Sequence, residues 1–156
     1  MSKIIDIKHD DPILRVFMLF MQMAQATYKY SDKRFFDANV STATFIALKG
    51  LLNNGGVMTH SELAEWTNTE KHNITTLVDR MKKEGLVTSQ YSQVDRRVAH
   101  ITLTDKGRDA FDKAMPVSRE IMNRIMHGIS PEAAGQLEKL LGHVKTNMKR
   151  EYRKLG

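Results

Sequence analysis

The chain has 156 residues, a length that suits one compact domain and is too short for two ordinary ones. It contains no cysteine, which excludes disulfides, thiolate metal sites and thiol-based sensing of oxidants. A formal net charge of +6 fits a polyanionic partner but also a merely soluble basic protein, so the position of the basic residues has to decide.

Near the N-terminus, the longest apolar run extends from Val16 to Met21, far short of the roughly 20 residues that a membrane span needs. No basic segment followed by a sufficient apolar run marks a secretory signal. We therefore expect a cytoplasmic protein.

A first helix is predicted to begin at Asp11-Pro12, because Asp caps helices well and Pro is tolerated at the first helical position. It should run to about Tyr30, with apolar residues nearly all around it, so it needs burial on more than one side. A central core helix would satisfy this need, but the apolar C-terminal helices favour a subunit interface. Residues 31 to 39 are expected to form a charged connector in which the Phe35-Phe36 pair packs.

Ser41 is expected to cap a second helix, which stops at the breaker cluster of residues 53 to 56. The double glycine of that cluster lacks the rest of a phosphate-loop pattern, so it indicates a turn. A short strand is predicted after it, at Val57-Met58.

The next stretch is typical of a helix-turn-helix. Thr59 and Glu62 have the spacing of a capping box, in which each side chain satisfies the other residue's backbone N–H. After a polar break, a longer helix is predicted to run to Lys83 or Glu84 and to end at Gly85. Its apolar stripe at i, i+3, i+4 and i+7 consists of Ile74, Leu77, Val78 and Met81.

The side of this longer helix opposite the stripe carries hydrogen-bonding side chains of moderate length. A DNA major groove admits a helix whose N-terminal half reaches base edges, and such side chains are suited to read them. A solvated face explains them equally well until the next segment is considered. The candidate DNA-binding residues of the helix are Lys71, His72, Asn73, Thr75, Thr76 and Arg80.

Two β-rich segments follow, residues 86 to 89 and 98 to 103, and they predict a hairpin with a charged tip. Arg96 and Arg97 lie in this tip, where Asp95 is placed to orient one guanidinium. Arginines of this kind insert into narrow A·T-rich minor grooves, where negative potential is concentrated. A basic hairpin beside a polar helix therefore favours DNA binding over a merely solvated face.

The C-terminal third predicts two more helices. Thr104 or Asp105 should open a long one that Pro116 kinks, and Ser130 with Pro131 should open the last. Both carry apolar stripes that exceed what a small winged-helix core can cover. We expect them, with the first helix, to pair with the same helices of a second subunit.

No catalytic or cofactor-binding pattern is apparent in the sequence. The histidines form no H-E-x-x-H or H-x-x-x-H pair, and neither G-x-S-x-G nor a phosphate loop occurs. We expect no enzymatic activity, no cofactor and no metal, although a metal site assembled from distant residues stays open.

The helix pair LAEW…NITTLVDRMKKEGLV, the wing DRRVAHITLTDKG and the long helices on both sides resemble the MarR family of transcriptional regulators. The resemblance covers roughly residues 12 to 150, and the wing followed by L-T-x-K-G is its most specific part. It implies a mainly α fold with a small β-wing. Within a single domain of residues 1–156, it implies a winged helix-turn-helix core at about 41–104 and dimerisation helices at about 11–30, 105–128 and 131–153.

The resemblance also implies a homodimer that binds double-stranded DNA at a pseudo-palindromic operator, with its recognition helices roughly 34–36 Å apart. In the family the second wing arginine, here Arg97, typically enters the minor groove. For this chain we expect a repressor rather than an activator. Glu70 departs from the serine that relatives often carry, and its charge would repel a phosphate there.

Members of the family often bind small aromatic or phenolic effectors. The residues that would line such a pocket here are Met21, Tyr28, Phe45, Trp66 and Met115. Methionine adapts to irregular apolar shapes, but it also fills ordinary cores. A protein-interaction module on the same scaffold, without specific DNA binding, is the alternative function.

Overall fold

The computed structural model of the chain describes residues 11–95 and 97–155, and of Lys71 the backbone alone. Its helices are α1 (Pro12–Phe35), α2 (Thr42–Asn53), α3 (His60–Thr67), α4 (Lys71–Lys83), α5 (Asp105–Ile125) and α6 (Pro131–Tyr152). Its strands are β1 (Val57–Thr59), β2 (Val87–Tyr91) and β3 (Ala99–Leu103), which form an antiparallel sheet in the order β1-β3-β2. The predicted mainly α fold with a small β-wing is confirmed.

The chain divides into two compact units, the first ending at Ile121 and the second beginning at Met122. The core of the first unit lies between α2, α3, α4 and the sheet, where Leu48, Leu63 and Ile101 are fully buried. All four residues of the predicted apolar stripe of α4 belong to this core, namely Ile74, Leu77, Val78 and Met81.

The prediction that α1 ends near Tyr30 is wrong, because the helix continues to Phe35 and a single 3-10 turn follows it. Residues 31 to 35 contain neither Gly nor Pro, and the carboxylate of Asp32 accepts a hydrogen bond of 2.8 Å from the backbone N–H of Thr42. This bond holds the extra turn against the start of α2. Phe35 is therefore buried, whereas Phe36 is 78% exposed, so only one of the two expected rings packs.

The predicted signals at helix ends are confirmed. Thr59 and Glu62 form a complete capping box at the start of α3. Gly85 has a φ of 75°, and the following N–H, that of Leu86, donates to the carbonyl of Met81 at 2.9 Å. This bond satisfies a carbonyl that the end of α4 would otherwise leave unpaired, which is the usual role of a glycine in the left-handed region.

Pro116 lies inside α5, which continues through it to Ile125 as one helix, as predicted. In the second unit, the side chain of Ser130 caps α6 by accepting from the N–H of Ala133. Large apolar side chains along α6 remain exposed, among them Leu137, Leu140, Leu141, Val144 and Met148. Among the described residues, no helix has the length and apolar character needed to cross a membrane.

Candidate nucleic-acid interface

The capping box fixes the helix that precedes α4. Both the backbone N–H and the hydroxyl of Thr59 donate to the carboxylate of Glu62, at 2.7 and 2.9 Å. These bonds, the backbone one first, hold the pKa of Glu62 below its usual range. After α3, Asn68 takes a left-handed conformation with φ 51°, and the chain turns directly into α4.

The candidate recognition residues of α4 lie on its exposed side. His72, Asn73, Thr75 and Thr76 are all exposed, opposite the buried stripe. The Thr76 hydroxyl donates to the carbonyl of His72 at 3.2 Å, so its proton is used within the helix. Its lone pairs and its methyl group remain available to a partner. Lys71 is the first residue of α4, and its side chain lies outside the described part.

Glu70, which stands where relatives often carry serine, lies at the N-terminal end of α4. Glu70 is the N-cap residue, and its side chain caps none of the first-turn N–H groups. The carboxylate suits the positive end of the helix dipole but repels phosphates, so it weakens any backbone contact at this point.

The wing is the hairpin of β2 and β3, in which Tyr91 pairs with Ala99 nearest the tip. In the tip, a carboxylate oxygen of Asp95 accepts from the backbone N–H of Arg97 at 2.9 Å. The carbonyl of Asp95 accepts from the N–H of Val98 at 3.0 Å. Asp95 thus shapes the turn that presents Arg97, whose side chain is exposed, while Arg96 lies outside the described residues.

Arg80 is placed differently from the other candidates of α4. Its Nη2 donates to the hydroxyl of Ser41 at 2.9 Å and to that of Thr44 at 3.1 Å. Both acceptors belong to the N-terminal end of α2, which the sequence analysis did not connect with α4. We refer to Asp32, Ser41, Thr42, Thr44 and Arg80 together as the α2 junction.

The five candidate pocket residues lie on four helices, α1, α2, α3 and α5. Phe45 is buried between Phe35 and Phe111, with ring centroids 4.8 and 5.0 Å away, and Met115 packs on the same cluster. Trp66 lies on α3, where its Nε1 donates to the carbonyl of Ile46 at 3.3 Å.

The other two candidates, Met21 and Tyr28, lie exposed on α1. A cavity of about 390 Å³ opens elsewhere, beside the α2 junction. It is lined by Phe36, Asn39, Val40, Ser41, Thr44, Arg80 and Glu84.

No group of three or more acidic or histidine side chains in the described part of the chain is arranged to hold a metal ion. The exposed side of α4 offers hydrogen-bonding groups, and Arg97 in the wing offers positive charge.

Comparison with known proteins gives consistent results. A model described as "MarR family" matches residues 38–98, the stretch from the end of the 3-10 turn through α4 to the wing. The transcriptional repressor IacR of Pseudomonas putida is 30% identical over 98 residues, which are 63% of this chain. The matched part spans only 59% of the length of IacR.

Two solved structures illustrate the likeness in fold. Sco3205, a MarR family transcriptional regulator of Streptomyces coelicolor in complex with DNA, is 19% identical, with a TM-score of 0.80 and coverage of 89% of this chain and 92% of its own. BpsR of Bordetella bronchiseptica, whose DNA binding is regulated by 6-hydroxynicotinic acid, is 21% identical, with a TM-score of 0.76 and coverage of 84% and 98%. At these identities the likeness concerns the fold alone.

Proposed function

Because the chain belongs to the MarR family, we propose that it is a transcriptional repressor that binds a pseudo-palindromic operator as a homodimer. The observation that carries the proposal is the outward side of α4, where His72, Asn73, Thr75 and Thr76 are exposed beside an exposed wing. These side chains offer donors, acceptors and methyl groups over the first turns of a helix, which is the end that reaches base edges in a major groove.

Each group has a proposed role. Asn73 can pair with both the N6 and N7 edge atoms of an adenine, and the Thr76 methyl group can contact a thymine methyl group. Lys71 and His72, at the start of the helix, are assigned to phosphates or to guanine. Arg97 is assigned to the minor groove next to this site, since it is exposed in the hairpin tip. Arg96 is assigned the same role from the sequence alone.

The homodimer is supported by apolar surface that the single chain leaves uncovered. On α1, Ile13, Val16 and Phe17 are 77%, 66% and 55% exposed, and on α6 Leu140 is 62% exposed. Soluble monomers rarely expose such series of large apolar side chains, so a partner surface is needed. A second copy related by a two-fold axis would provide it and would present two α4 helices to two half-sites.

Repression and release by a small molecule are supported by the relatives. IacR is a repressor, and the DNA binding of BpsR is regulated by 6-hydroxynicotinic acid. We propose a small aromatic or phenolic effector that contacts Met21 and Tyr28 on α1. Such an effector acts only if it binds the free dimer more tightly than the DNA-bound one.

The test is fluorescence anisotropy with labelled DNA from the protein's own promoter region and with scrambled DNA, at several salt concentrations. We expect tight, sequence-dependent binding that weakens steeply with salt. Arg97→Ala should lower specific affinity roughly tenfold, as loss of a groove contact does. Lys154→Ala, which removes one positive charge from an exposed side chain beyond the end of α6, serves as the control and should bind like the wild type. Equally weak binding to both DNAs would refute the proposal.

A further inference from the structure

The N-terminal end of α2 is where polar side chains join it to two other helices. From α1, Asp32 accepts from the N–H of Thr42 at 2.8 Å. Within α2, the hydroxyl of the N-cap residue Ser41 accepts from the N–H of Thr44 at 3.1 Å and lies 2.9 Å from the Thr44 hydroxyl. From α4, Arg80 donates to both hydroxyls. The α2 junction therefore links the recognition helix to the rest of the first unit.

Arg80 lies away from the part of α4 that reads bases. At about 100° per residue it lies about 80° around the helix from His72, near the border between the exposed and the buried sides. At about 1.5 Å per residue it is also about 12 Å further along the axis, in the C-terminal half. Recognition helices reach base edges with their N-terminal residues, so His72 and Asn73 are placed for reading and Arg80 is not.

The acceptors of Arg80 are held in place. Thr44 is 2% exposed and Ser41 is half-buried, and each is constrained by the hydrogen bonds of the helix start. A hydrogen bond from a charged donor is stronger than one between neutral groups, and the planar guanidinium fixes the direction of its donors.

The charge of Arg80 also acts on α1. Partial burial, and then the charge of Asp32, raise the pKa of Tyr28, while the charge of Arg80 lowers it. The guanidinium is therefore within electrostatic range of the Tyr28 hydroxyl on α1, in addition to its hydrogen bonds with Ser41 and Thr44.

We propose that Arg80 is a positioning residue for DNA recognition. Its guanidinium holds α4 against the first turn of α2 and so sets the orientation in which residues 72 to 76 meet the base edges. It makes no contact of its own with DNA. The inference rests on the proposed function, since it concerns how the same interface achieves specificity.

The test compares the wild type with Arg80→Ala, Thr44→Val and the double variant in binding to operator and to scrambled DNA over a range of salt concentrations. Thr44→Val removes an acceptor of Arg80 and keeps every charge. We expect each single variant to lower affinity for the operator about tenfold or more, and the double variant to lose little beyond Arg80→Ala, because both changes break one interaction. Affinity for scrambled DNA should hardly change.

A phosphate contact would behave differently. Losing one reduces the slope of log affinity against log salt by about 0.9, with scrambled DNA as well as with the operator. A fall of that size in Arg80→Ala, with Thr44→Val binding like the wild type, would overturn the inference. A variant that merely loses folded protein would bind operator and scrambled DNA more weakly by the same factor. Equal losses of this kind in both single variants would also overturn the positioning role of Arg80.

The wild type provides the reference that separates the two proposals. If it does not prefer operator DNA, the proposed function fails and the inference fails with it. If it does prefer operator DNA and the variants behave as phosphate contacts, only the inference fails. Dimer mass and thermal melting of each variant are measured alongside, and if Arg80→Ala does not fold, Thr44→Val alone decides by its effect on the operator-to-scrambled affinity ratio.

Discussion

Replacing Gly107 by alanine should destabilise the protein, although it lies within a helix, where alanine is usually favoured over glycine by about 1 kcal/mol. Gly107 is in the first turn of α5. A Cβ atom built there would lie 2.1 Å from the carbonyl oxygen of Leu86 and 2.7 Å from the Cδ1 of Leu103. The first of these is backbone, so the contact cannot be relieved by rotating a side chain.

The cost follows from what the Leu86 carbonyl does. It accepts from the backbone N–H of Thr104 at 3.1 Å and from the Thr104 hydroxyl at 2.9 Å. Overpacking costs about 1–3 kcal/mol, and each of the two hydrogen bonds contributes about 0.5–1.5 kcal/mol. After subtracting about 1 kcal/mol for helix propensity, the expected destabilisation is about 3 kcal/mol, or a fall in melting temperature of about 6–12 °C.

Urea denaturation followed by circular dichroism, at one fixed protein concentration, measures this difference. Gly142→Ala is the matched control, because Gly142 is also inside a helix but has no heavy atom within 4 Å of a built Cβ. It also lies on the side of α6 away from the apolar stripe. We expect this variant to be up to about 1 kcal/mol more stable than the wild type. If Gly107→Ala is as stable as Gly142→Ala, the reasoning about Leu86 is refuted.

Three further predictions concern other parts of the chain. Gly50→Ala places a Cβ 2.6 Å from the ring of Trp66, the sole tryptophan of the chain. We expect the tryptophan fluorescence to shift to longer wavelength and the free energy of unfolding to fall by about 1–3 kcal/mol. Unchanged tryptophan emission would contradict the close packing of Trp66 on Gly50. The pKa of Glu62 is lower in the folded protein than in the unfolded one, where it is near 4.5. The ionised carboxylate therefore stabilises the fold above pH 4.5, and this stabilisation is lost as the pH falls through the folded-state pKa. Urea titrations of the wild type and Glu62→Gln should therefore differ at neutral pH and converge once the pH has fallen below the folded-state pKa of Glu62. A difference that stays constant with pH would argue against the capping charge. Phe17→Glu on the exposed side of α1 should shift sedimentation toward the monomer. Val94→Glu in the wing, where the side chain is 99% exposed, is the control and should leave the protein dimeric. A dimeric Phe17→Glu protein would place the interface elsewhere.

The sequence was sufficient wherever a structural signal is contained within a few neighbouring residues. The capping box of Thr59 and Glu62, the glycine after α4 and the serine before α6 each depend on hydrogen bonds between residues no more than five apart. Periodicity likewise predicted which side of α4 is buried. These features follow from local backbone geometry, so no knowledge of the tertiary arrangement is needed to predict them.

Features that depend on distant partners were not predictable in this way. Arg80 binds hydroxyls 39 and 36 residues earlier, and Arg34 pairs with Glu120, 86 residues later. Periodicity places Arg80 on the border of the exposed side, but it does not reveal which helix lies next to that border. The end of α1 depends in the same way on the bond from Thr42 to Asp32, which a reading of the connector by its charge alone cannot predict.

The two kinds of feature together explain how α4 is held. Its C-terminal end is fixed twice, by Arg80 against α2 and by Gly85 and Leu86, whose carbonyls accept from the Thr104 hydroxyl. Its N-terminal end, at Glu70, has no side-chain cap. The helix is therefore anchored by side chains at the end away from the proposed base contacts. Substitutions at the anchored end should change specificity without touching DNA, since even a small rotation there displaces the side chains near His72 by the rotation angle multiplied by the length of the intervening helix, which is about 12 Å.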